Sequence, residues 1–337
     1  MNDNVFIMDV GFGCENERID QGRSYLDKII NISDCFFSRN SIYSGYGGII
    51  HISVTPCTMN INYSMFYNCI CSFDGGAIIF SSTNSYLRMI CVNRCLASSW
   101  YHFAWIKASQ ANHVEYLSIT NCSHTTSGYY PIGFDNGNQR VDNTNISMNN
   151  AYQGSGIHIF SPSLFTSSHC TFSNNKVIQS ICILLHSISG IISMSHANIV
   201  HNNSPADNGV VHVYGVGTRQ MKYCIFQNNQ NYLFCVYSGS LEVSHSFIDH
   251  SGPFSRSRAV STTNNSLTKR ITYQMQFFNS LHCNADIPII MRETAKETIA
   301  RTYDIKCDLD IMTRNRLVRN SDNRMYMYPI IIAFIIV

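Results

Sequence analysis

Phe172-Ser173-Asn174-Asn175 and Phe226-Gln227-Asn228-Asn229 share a pattern of an apolar residue, two further residues, and then Asn or Cys. We call this pattern the corner motif and its fourth residue the ladder position. The motif occurs at Phe37–Asn40, Phe66–Cys69, Val92–Cys95, Ile119–Cys122, Phe172–Asn175, Ile199–Asn202 and Phe226–Asn229, and Ser147–Asn150 falls in phase without the apolar residue. Successive ladder positions lie 25 to 29 residues apart, a period typical of stacked repeats.

The composition favours a solenoid of strands and disfavours nucleic-acid binding. Only 13% of the residues are charged, against about 25% in an average soluble protein. With 45% hydrophobic residues among 337, the chain can bury a large core as one elongated domain. A formal net charge of +2 creates no field that would steer the protein onto nucleic acid, so no nucleic-acid partner is expected.

Each period carries two short strands joined by a turn. Gly75–Phe80 predicts a first strand, Ser81–Asn84 a turn and Tyr86–Val92 a second strand, before the corner motif bends the chain. No helical pattern separates such strands, which excludes βαβ units. The sequence therefore predicts an all-β fold, a parallel β-helix of about eight to ten rungs whose equivalent strands stack about 4.8 Å apart.

The corner motif predicts two ladders along this coil. Its apolar first residues form a buried ladder, and its ladder positions form a second one in which Asn amides bond to the turns above and below. Where Cys replaces Asn, a small thiol fills the space. Because stacked parallel side chains have poor torsions for a disulfide, these thiols are expected to be free. The predicted ladder consists of Asn40, Cys69, Cys95, Cys122, Asn150, Asn175, Asn202 and Asn229.

Three histidines, His51, His158 and His212, occupy the same place in strands that begin with glycine. Because alternate residues of a strand point to opposite faces, all three are predicted to lie on one solvent-exposed face. The leading glycines, such as Gly75 and Gly209, fit positions with a positive φ or with little room beside the backbone.

These repeats resemble a known family. Gly75-Gly76-Ala77-Ile78, Phe37–Asn40, Phe172–Asn175 and Phe226–Asn229 are similar to the repeated Gly-Gly-Ala-Ile and Phe-x-x-Asn motifs of chlamydial-type polymorphic outer membrane proteins, which also occur in parasitic protists. The resemblance covers about residues 29 to 250. It implies a right-handed parallel β-helix of the pectin lyase-like class on a cell surface, with a role in adhesion or immune exposure and without catalysis.

The same class of fold includes polysaccharide lyases and hydrolases, whose sites need paired or clustered carboxylates. Between residues 29 and 250 no two carboxylates lie within two residues of each other, and Asn143-Thr144-Asn145 only approaches the Asn-Thr-Asp signature of polygalacturonase-like enzymes. The carboxylates are Asp34, Asp74, Glu115, Asp135, Asp142, Asp207, Glu242 and Asp249. No catalytic residue is therefore predicted, and a carbohydrate-active enzyme remains the alternative.

No cofactor or metal site is predicted either. Cys69-x-Cys71 and Cys91-x3-Cys95 lack the paired spacing of a zinc site, so these residues are expected to be core thiols.

One segment, Trp100–Trp105, departs from the repeat and holds both tryptophans of the chain. If they face outward, Trp100, Tyr101 and Trp105 form a candidate patch for binding a sugar or a protein partner. Strand alternation equally allows some of them to enter the core, and both arrangements stay open.

The two ends differ from the repeats. Residues 1–28, a predicted N-terminal cap or part of a preceding rung, show no signal peptide. The β-helix is predicted over residues 29–284, with Ile271–Phe278 as a last rung, and the charged residues 285–324 are expected to cap it or to form a stalk. Residues 325–337 are nearly all apolar but fall short of the about 20 residues that span a bilayer. They are expected to be a truncated transmembrane helix or a strand at the end of the column.

Together with the family resemblance, the sequence predicts a non-enzymatic protein of the cell surface, an adhesin or antigen with an extracellular β-helix. Its membrane anchor is the C-terminal segment if that segment is a truncated transmembrane helix. Its expected partner is a host-cell protein or a glycan. The alternatives are a carbohydrate-active enzyme and a structural spacer that holds other domains away from the membrane.

Overall fold

The chain forms strands, and no helix, in the part that the structure describes. The structure is a computed structural model, and it describes residues 49–265 except 54, 123–126, 180–181, 187–189, 206–207, 250–253 and 257–258, together with residues 5–7, 18–19, 28–33, 36–38, 41–42, 318–319 and 325–326. The chain divides into two compact units, residues 1–285 and 286–337. The predicted last rung, Ile271–Phe278, lies outside the described residues, as does most of the predicted stalk and apolar C-terminal segment.

The strands are as follows. The first unit contains β1 (Val5–Ile7), β2 (Arg18–Ile19), β3 (Lys28–Ser33), β4 (Phe36–Ser38), β5 (Ser41–Ile42), β6 (Ile50–Ile52), β7 (Cys57–Asn62), β8 (Met65–Tyr67), β9 (Ile70–Cys71), β10 (Ile78–Asn93), β11 (Leu96–Ala97), β12 (Ala104–Thr120), β13 (Ile132–Asp135), β14 (Asn138–Asp142), β15 (Asn145–Ser147), β16 (Asn150–Ala151), β17 (Ile157–Phe160), β18 (Leu164–Ser168), β19 (Thr171–Ser173), β20 (Lys176–Val177), β21 (Ile183–His186), β22 (Ile191–Ser195), β23 (Asn198–Val200), β24 (Val211–Tyr214), β25 (Thr218–Lys222), β26 (Ile225–Gln227), β27 (Phe234–Val236), β28 (Ser240–Ser244), β29 (Phe247–Asp249) and β30 (Val260–Thr263). In the second unit β31 (Val318–Arg319) and β32 (Met325–Tyr326) pair antiparallel.

The strands of the first unit stack into three parallel columns. The first column runs through β6, the start of β10, the start of β12, β13, β17, β21, β24 and β27. The second runs through β3, β7, the middle of β10 and of β12, β14, β18, β22, β25, β28 and β30. The third runs through β4, β8, the end of β10 and of β12, β15, β19, β23, β26 and β29. From β6 to β27 the chain makes about seven turns, which confirms the predicted all-β parallel solenoid.

The N-terminal end of the first column is covered by an antiparallel strand. β1 pairs with β6, aligning Val5 with Ile52 and Ile7 with Ile50, and its other edge pairs with β2. This arrangement occupies backbone groups that would otherwise form an open strand edge.

The predicted turn at Ser81–Asn84 is wrong. β10 continues from Ile78 to Asn93, and its register against β12 shifts between Ser82 and Asn84. A bulge of this kind bends a strand without ending it, so one strand serves all three columns in this turn of the solenoid.

The apolar first residues of the corner motifs form the predicted buried ladder. They lie in one continuous hydrophobic core and are at most 1% exposed: Phe37, Phe66, Val92, Ile119, Ile146, Phe172, Ile199 and Phe226. Phe37 and Phe66 follow each other in this ladder, and their rings stack with centroids 4.8 Å apart.

The chain changes direction at two corners in each turn through single residues with a left-handed backbone. At the corner between the second and third columns, φ lies between 48° and 58° at Tyr63, Met89, Tyr116, Asn143, His169, His196, Tyr223 and His245. At the corner motif, φ lies between 53° and 57° at Asn68, Arg94, Asn121, Met148, Asn174, His201 and Asn228. Each of these residues precedes one that is buried inside the corner.

The asparagines at the ladder position satisfy backbone groups of the preceding turn. Asn202 Oδ1 accepts the backbone N–H of Asn175 at 3.1 Å, and its Nδ2 donates to the carbonyl of Phe172 at 2.8 Å. Asn175 and Asn229 repeat both contacts one turn earlier and one turn later. Buried backbone groups need hydrogen-bond partners, and the bend interrupts the pairing between strands. Each asparagine therefore provides a side-chain partner for one backbone N–H and one backbone carbonyl at the corner.

The prediction of Asn150 as a ladder residue is wrong, because the ladder residue of that turn is Asn149. Asn149 is fully buried and its Oδ1 accepts the backbone N–H of Cys122 at 2.7 Å, whereas Asn150 is exposed at the start of β16. The corner motif of this turn is therefore complete, with Ile146 as its apolar residue.

At the other end of the ladder the position is held by cysteines, which are buried free thiols at Cys69, Cys95 and Cys122. Cys122 Sγ accepts the backbone N–H of Cys95 at 3.3 Å, and Cys95 Sγ lies 3.7 Å from the carbonyl oxygen of Phe66. These two thiols thus show, one contact each, the two kinds of contact that an asparagine makes, through weaker sulfur hydrogen bonds. Asn40 lies outside the described residues.

Candidate binding surface

The outer side of the first column carries the candidate site. Alternate residues of its strands point outward, and the register aligns His51, Ile79, Trp105, Gly133, His158, Leu184, His212 and Cys235 in one line. Two residues further along the strands a second line contains Ser81, Lys107, Asp135, Phe160, His186 and Tyr214, which Tyr237 continues.

The C-terminal half of the second line consists of aromatic rings. We call Phe160, His186, Tyr214 and Tyr237 the ring stripe. Phe160 and His186 meet edge to face with centroids 4.6 Å apart, and so do His186 and Tyr214 at 4.7 Å. Tyr214 and Tyr237 stack at 5.5 Å with an interplanar angle of 25°. Tyr214 is 42% and Tyr237 75% exposed, so a run of rings faces solvent along the column.

The ring stripe carries no formal charge at neutral pH. Burial lowers the pKa of His186, and the positive charge of Arg219 lowers it further. Arg219 is itself buried, and its guanidinium donates to the backbone carbonyls of Val216 and Gly217. Its charge therefore acts on His186 through the protein and is not displayed on the outer surface.

A second group of rings packs on the same face beside the N-terminal end of the stripe. This aromatic cluster consists of Trp100, Tyr101, Trp105, Tyr129, Tyr130 and His158. Tyr101 and Tyr130 are almost completely buried, and the Tyr101 hydroxyl lies 2.8 Å from Nδ1 of His158. Burial lowers the pKa of His158 to about 3, so its imidazole is neutral. The prediction that His158 faces solvent is wrong, because these tyrosines cover it.

Two glycines make room for the tyrosines. A Cβ on Gly133 would lie 1.9 Å from Cε1 of Tyr101, and a Cβ on Gly154 would lie 2.5 Å from Cε1 of Tyr130. Each ring thus rests on the outer face of a later turn. The glycine of that turn is needed because any larger residue would displace the ring.

Asp135 is, with Asp74, one of two buried carboxyls in this region. Its Oδ2 accepts the indole N–H of Trp105 at 3.0 Å, while its Oδ1 is buried without a hydrogen-bond partner. Burial raises the pKa of Asp135 to about 6, although the hydrogen bond from Trp105 and the positive charge of Lys107 oppose the shift. A carboxyl of this kind exchanges its proton near neutral pH.

The three residues predicted as a binding patch lie on the outer side of the first column, separate from the main core. Trp100 is 40% exposed and stacks on Tyr129 with centroids 3.9 Å apart, and its backbone N–H donates to Asp74 at 3.0 Å. Trp105 is half-buried and Tyr101 is buried. One face of the Trp100 ring is thus already occupied, which leaves the patch less accessible than the ring stripe.

The ring stripe was not found from the sequence, although a signal is present. Its members follow the strand segments Ile157–Ile159, Ile183–Leu185, Val211–Val213 and Phe234–Val236, always at the next position. An aromatic residue or histidine therefore recurs once per turn immediately after a short apolar strand.

A third exposed line of rings runs along the corner between the second and third columns. His169, His196 and Tyr223 stack with centroids 5.0 and 5.1 Å apart, and His245 follows Tyr223 at 5.3 Å. These rings occupy left-handed corner residues, so their spacing is set by the repeat itself.

Four other described carboxylates have structural partners, and Asp74 is the one that accepts the Trp100 backbone N–H. Glu115 pairs with Arg88 at 3.5 Å, Asp142 pairs with Arg140, and Glu242 accepts a hydrogen bond from Gln220. Within the described ranges, no three His, Cys, Asp or Glu side chains gather as a metal site would require, and no helix has the length and apolarity to cross a bilayer. Asp34 and Asp207 lie outside these ranges.

The fold and this surface define a parallel β-solenoid with an aromatic lateral face. Comparison of the chain with protein-family models, with curated proteins and with solved structures finds no match.

Proposed function

We propose that the protein is a non-enzymatic, extracellular binding protein of a cell surface, which holds its partner on the ring stripe. The observation that supports this proposal is the outward exposure of Tyr214 and Tyr237 in line with two further rings. Large contiguous apolar areas are uncommon on the surface of soluble proteins and often mark binding sites. Rings fixed on a stack of paired strands also lose little conformational entropy on binding.

The resemblance of the repeats to those of polymorphic outer membrane proteins supports the location and the role in adhesion or immune exposure. In this proposal the apolar residues 327–337, which follow strand β32, belong to a membrane anchor. A spacer would need only the paired columns and the core, so the exposed rings favour a binding protein over a spacer.

A cell-adhesion assay with immobilised protein tests this function. The double variant Tyr214→Ala, Tyr237→Ala is expected to lose most of the adhesion of the unchanged protein, because it removes the exposed half of the stripe. Tyr86→Ala is the matched control, since Tyr86 is a similarly exposed tyrosine, at 38%, on the second column. Equal adhesion by all three proteins would refute the role of the stripe, and no adhesion by the unchanged protein would refute the proposed function.

A carbohydrate-active enzyme is the second candidate, and the raised pKa of the buried Asp135 carboxyl is the observation that favours it. A carboxyl with a pKa of about 6 beside Trp105 has the property that a general acid requires. Incubation with pectin or related polyuronides, followed by absorbance of unsaturated products or by reducing-end release, tests this candidate. Activity that is lost in Asp135→Asn would support an enzyme, and absence of product would exclude it for these substrates.

A further inference from the structure

We infer that the ring stripe binds an uncharged polysaccharide that lies along the solenoid axis, an inference that rests on the proposed function. Four rings, Phe160, His186, Tyr214 and Tyr237, follow each other once per turn at centroid separations of 4.6, 4.7 and 5.5 Å. A linear array of this kind fits a linear polymer better than a compact ligand, because every turn offers the same kind of contact.

The backbone of the first column excludes binding by strand addition. The carbonyl of His186 accepts the backbone N–H of Ser161 at 2.8 Å, and the carbonyl of Val213 accepts that of Tyr237 at 2.9 Å. These groups point along the axis to the neighbouring turns, so a ligand on the lateral face meets side chains. An extended peptide would gain none of the main-chain hydrogen bonds through which sheets bind strands.

The chemistry of the side chains points to a neutral, hydroxyl-rich ligand. Tyr214 and Tyr237 stack on each other and still leave 42% and 75% of their area exposed, which offers apolar ring surface to the C–H groups of sugar rings. Their hydroxyls can exchange hydrogen bonds with sugar hydroxyls. His186 is neutral and adds an imidazole nitrogen. The buried guanidinium of Arg219 is bound to backbone carbonyls, so the stripe presents no cation to an acidic polymer.

The N-terminal end of the stripe sets a boundary for this ligand. Asp135 aligns with Phe160 across the parallel pair β13–β17, and Trp105 donates to Asp135 from the turn before. The exposed rings therefore continue only toward the C-terminal turns, where Tyr237 is the most exposed member.

Affinity electrophoresis of the full chain through gels containing neutral polysaccharides tests the inference. The panel contains a β-glucan, a xylan, a mannan and a galactan, with polygalacturonate and heparin as acidic polymers. The unchanged protein and Tyr86→Ala are expected to be retarded by at least one neutral polymer, and Tyr214→Ala, Tyr237→Ala to bind it at least about tenfold more weakly. Tyr237→Phe keeps the ring and is expected to retain most of the affinity.

Retardation only by acidic polymers, or equal binding by the double variant, would overturn the inference. Circular dichroism and thermal unfolding establish that each variant is folded before its binding is judged. The same samples enter the adhesion assay, which separates the two proposals. Adhesion that depends on Tyr214 and Tyr237 without binding to any neutral polysaccharide refutes the ligand class and leaves the proposed function standing, with a protein as the partner.

Discussion

Among single residues, Asn202 illustrates how the repeat uses a polar side chain in its interior. Its amide serves a backbone N–H on Asn175 and a carbonyl on Phe172, both in the turn before. Cysteine performs the same task in earlier turns with weaker hydrogen bonds, as Cys122 does for Cys95. Both Asn and Cys can therefore occupy the ladder position, because either side chain can supply a hydrogen-bond partner to a buried backbone group of the turn before.

Replacement of Asn202 is expected to destabilise the protein in a graded manner. Asn202→Ala leaves the Asn175 N–H and the Phe172 carbonyl buried without partners, a loss of about 2–5 kcal/mol in the free energy of unfolding. Asn202→Cys is expected to lose about half as much, since sulfur can contact both groups. Urea unfolding followed by circular dichroism measures the two changes, and equal losses would show that the thiol does not replace the hydrogen bonds of the amide at this position.

Asp135 makes the stability of the aromatic cluster depend on pH. Its pKa is raised from 3.8 to about 6 in the folded chain, so the folded state binds the proton more tightly than the unfolded state. Stability is therefore lost as pH rises from 3.8 to about 6 and stays lower above that range, by on the order of 3 kcal/mol.

Asp135→Asn removes this ionisation and keeps an acceptor for the indole N–H of Trp105. It is expected to raise the unfolding midpoint at pH 8 and to have little effect at pH 4. Trp100 and Trp105 are the two tryptophans of the chain, so their fluorescence reports on this region. A fluorescence change near pH 6 in the unchanged protein that persists in the variant would show that another group titrates.

The wrong prediction of Asn150 as a ladder residue shows that the motif alone does not identify which residue is buried at a corner. Met148-Asn149-Asn150 offers two adjacent asparagines, and the sequence pattern does not say which one enters the corner. The backbone decides, because the left-handed residue of that corner is Met148 and the residue after it is buried. A methionine gives no hint of a positive φ, whereas Asn174 and Asn228 in other turns do.

At the scale of elements, aromatic rings from one turn of the first column pack against glycines of a later turn, as Tyr101 does against Gly133. Gly133→Ala is expected to lower stability by about 1–3 kcal/mol, since the new Cβ would displace the ring of Tyr101. In a Tyr101→Ala background the same substitution is expected to be nearly neutral. Thermal unfolding of the four proteins in this cycle measures the coupling, and additive effects would contradict it.

The strands themselves were predictable where burial controls the residue type. Ile78 and Phe80 alternate with outward residues as the pattern requires, and Phe37, Phe66 and Phe172 mark the core in three turns. The break predicted at Ser81–Asn84 failed because Ser and Asn are turn formers by propensity. A bulge accommodates the same residues without ending the strand.

Considered as a whole, the molecule was predictable on its inside and unpredictable on its outside. Stacking forces equivalent inward positions to be alike, which is why a period of about 27 residues identified the solenoid. Outward positions face no such constraint, so Gly133, His158 and Leu184 follow each other in one line. The cluster at Tyr101 and the stripe at Tyr214 depend on contacts between turns that a single period does not reveal.

The cysteines give a test that covers the whole chain. Nine described cysteines are free and buried, including Cys69, Cys95 and Cys122, while Cys91 forms a disulfide. Burial raises the pKa of the Cys170 thiol to about 11 and also raises the pKa of Cys69, Cys122, Cys182 and Cys224, which suppresses their reactive thiolates. Cys95 differs, because hydrogen bonds from Cys122 and Cys69 outweigh its burial and lower its pKa. A thiol reagent is expected to label few of them in the folded protein and at least nine after denaturation. Fourteen blocked cysteines in the denatured chain would contradict this.

The asparagine ladder also gives the solenoid a direction. Asn175, Asn202 and Asn229 each complete the corner of the turn before them, and none completes the corner of the turn after. Removing the last turn would leave a buried backbone N–H and a backbone carbonyl of the turn before it without hydrogen-bond partners. Removing the first turn would only expose a side-chain amide, which can form hydrogen bonds with water. During synthesis, each corner therefore remains unfinished until the following turn has left the ribosome.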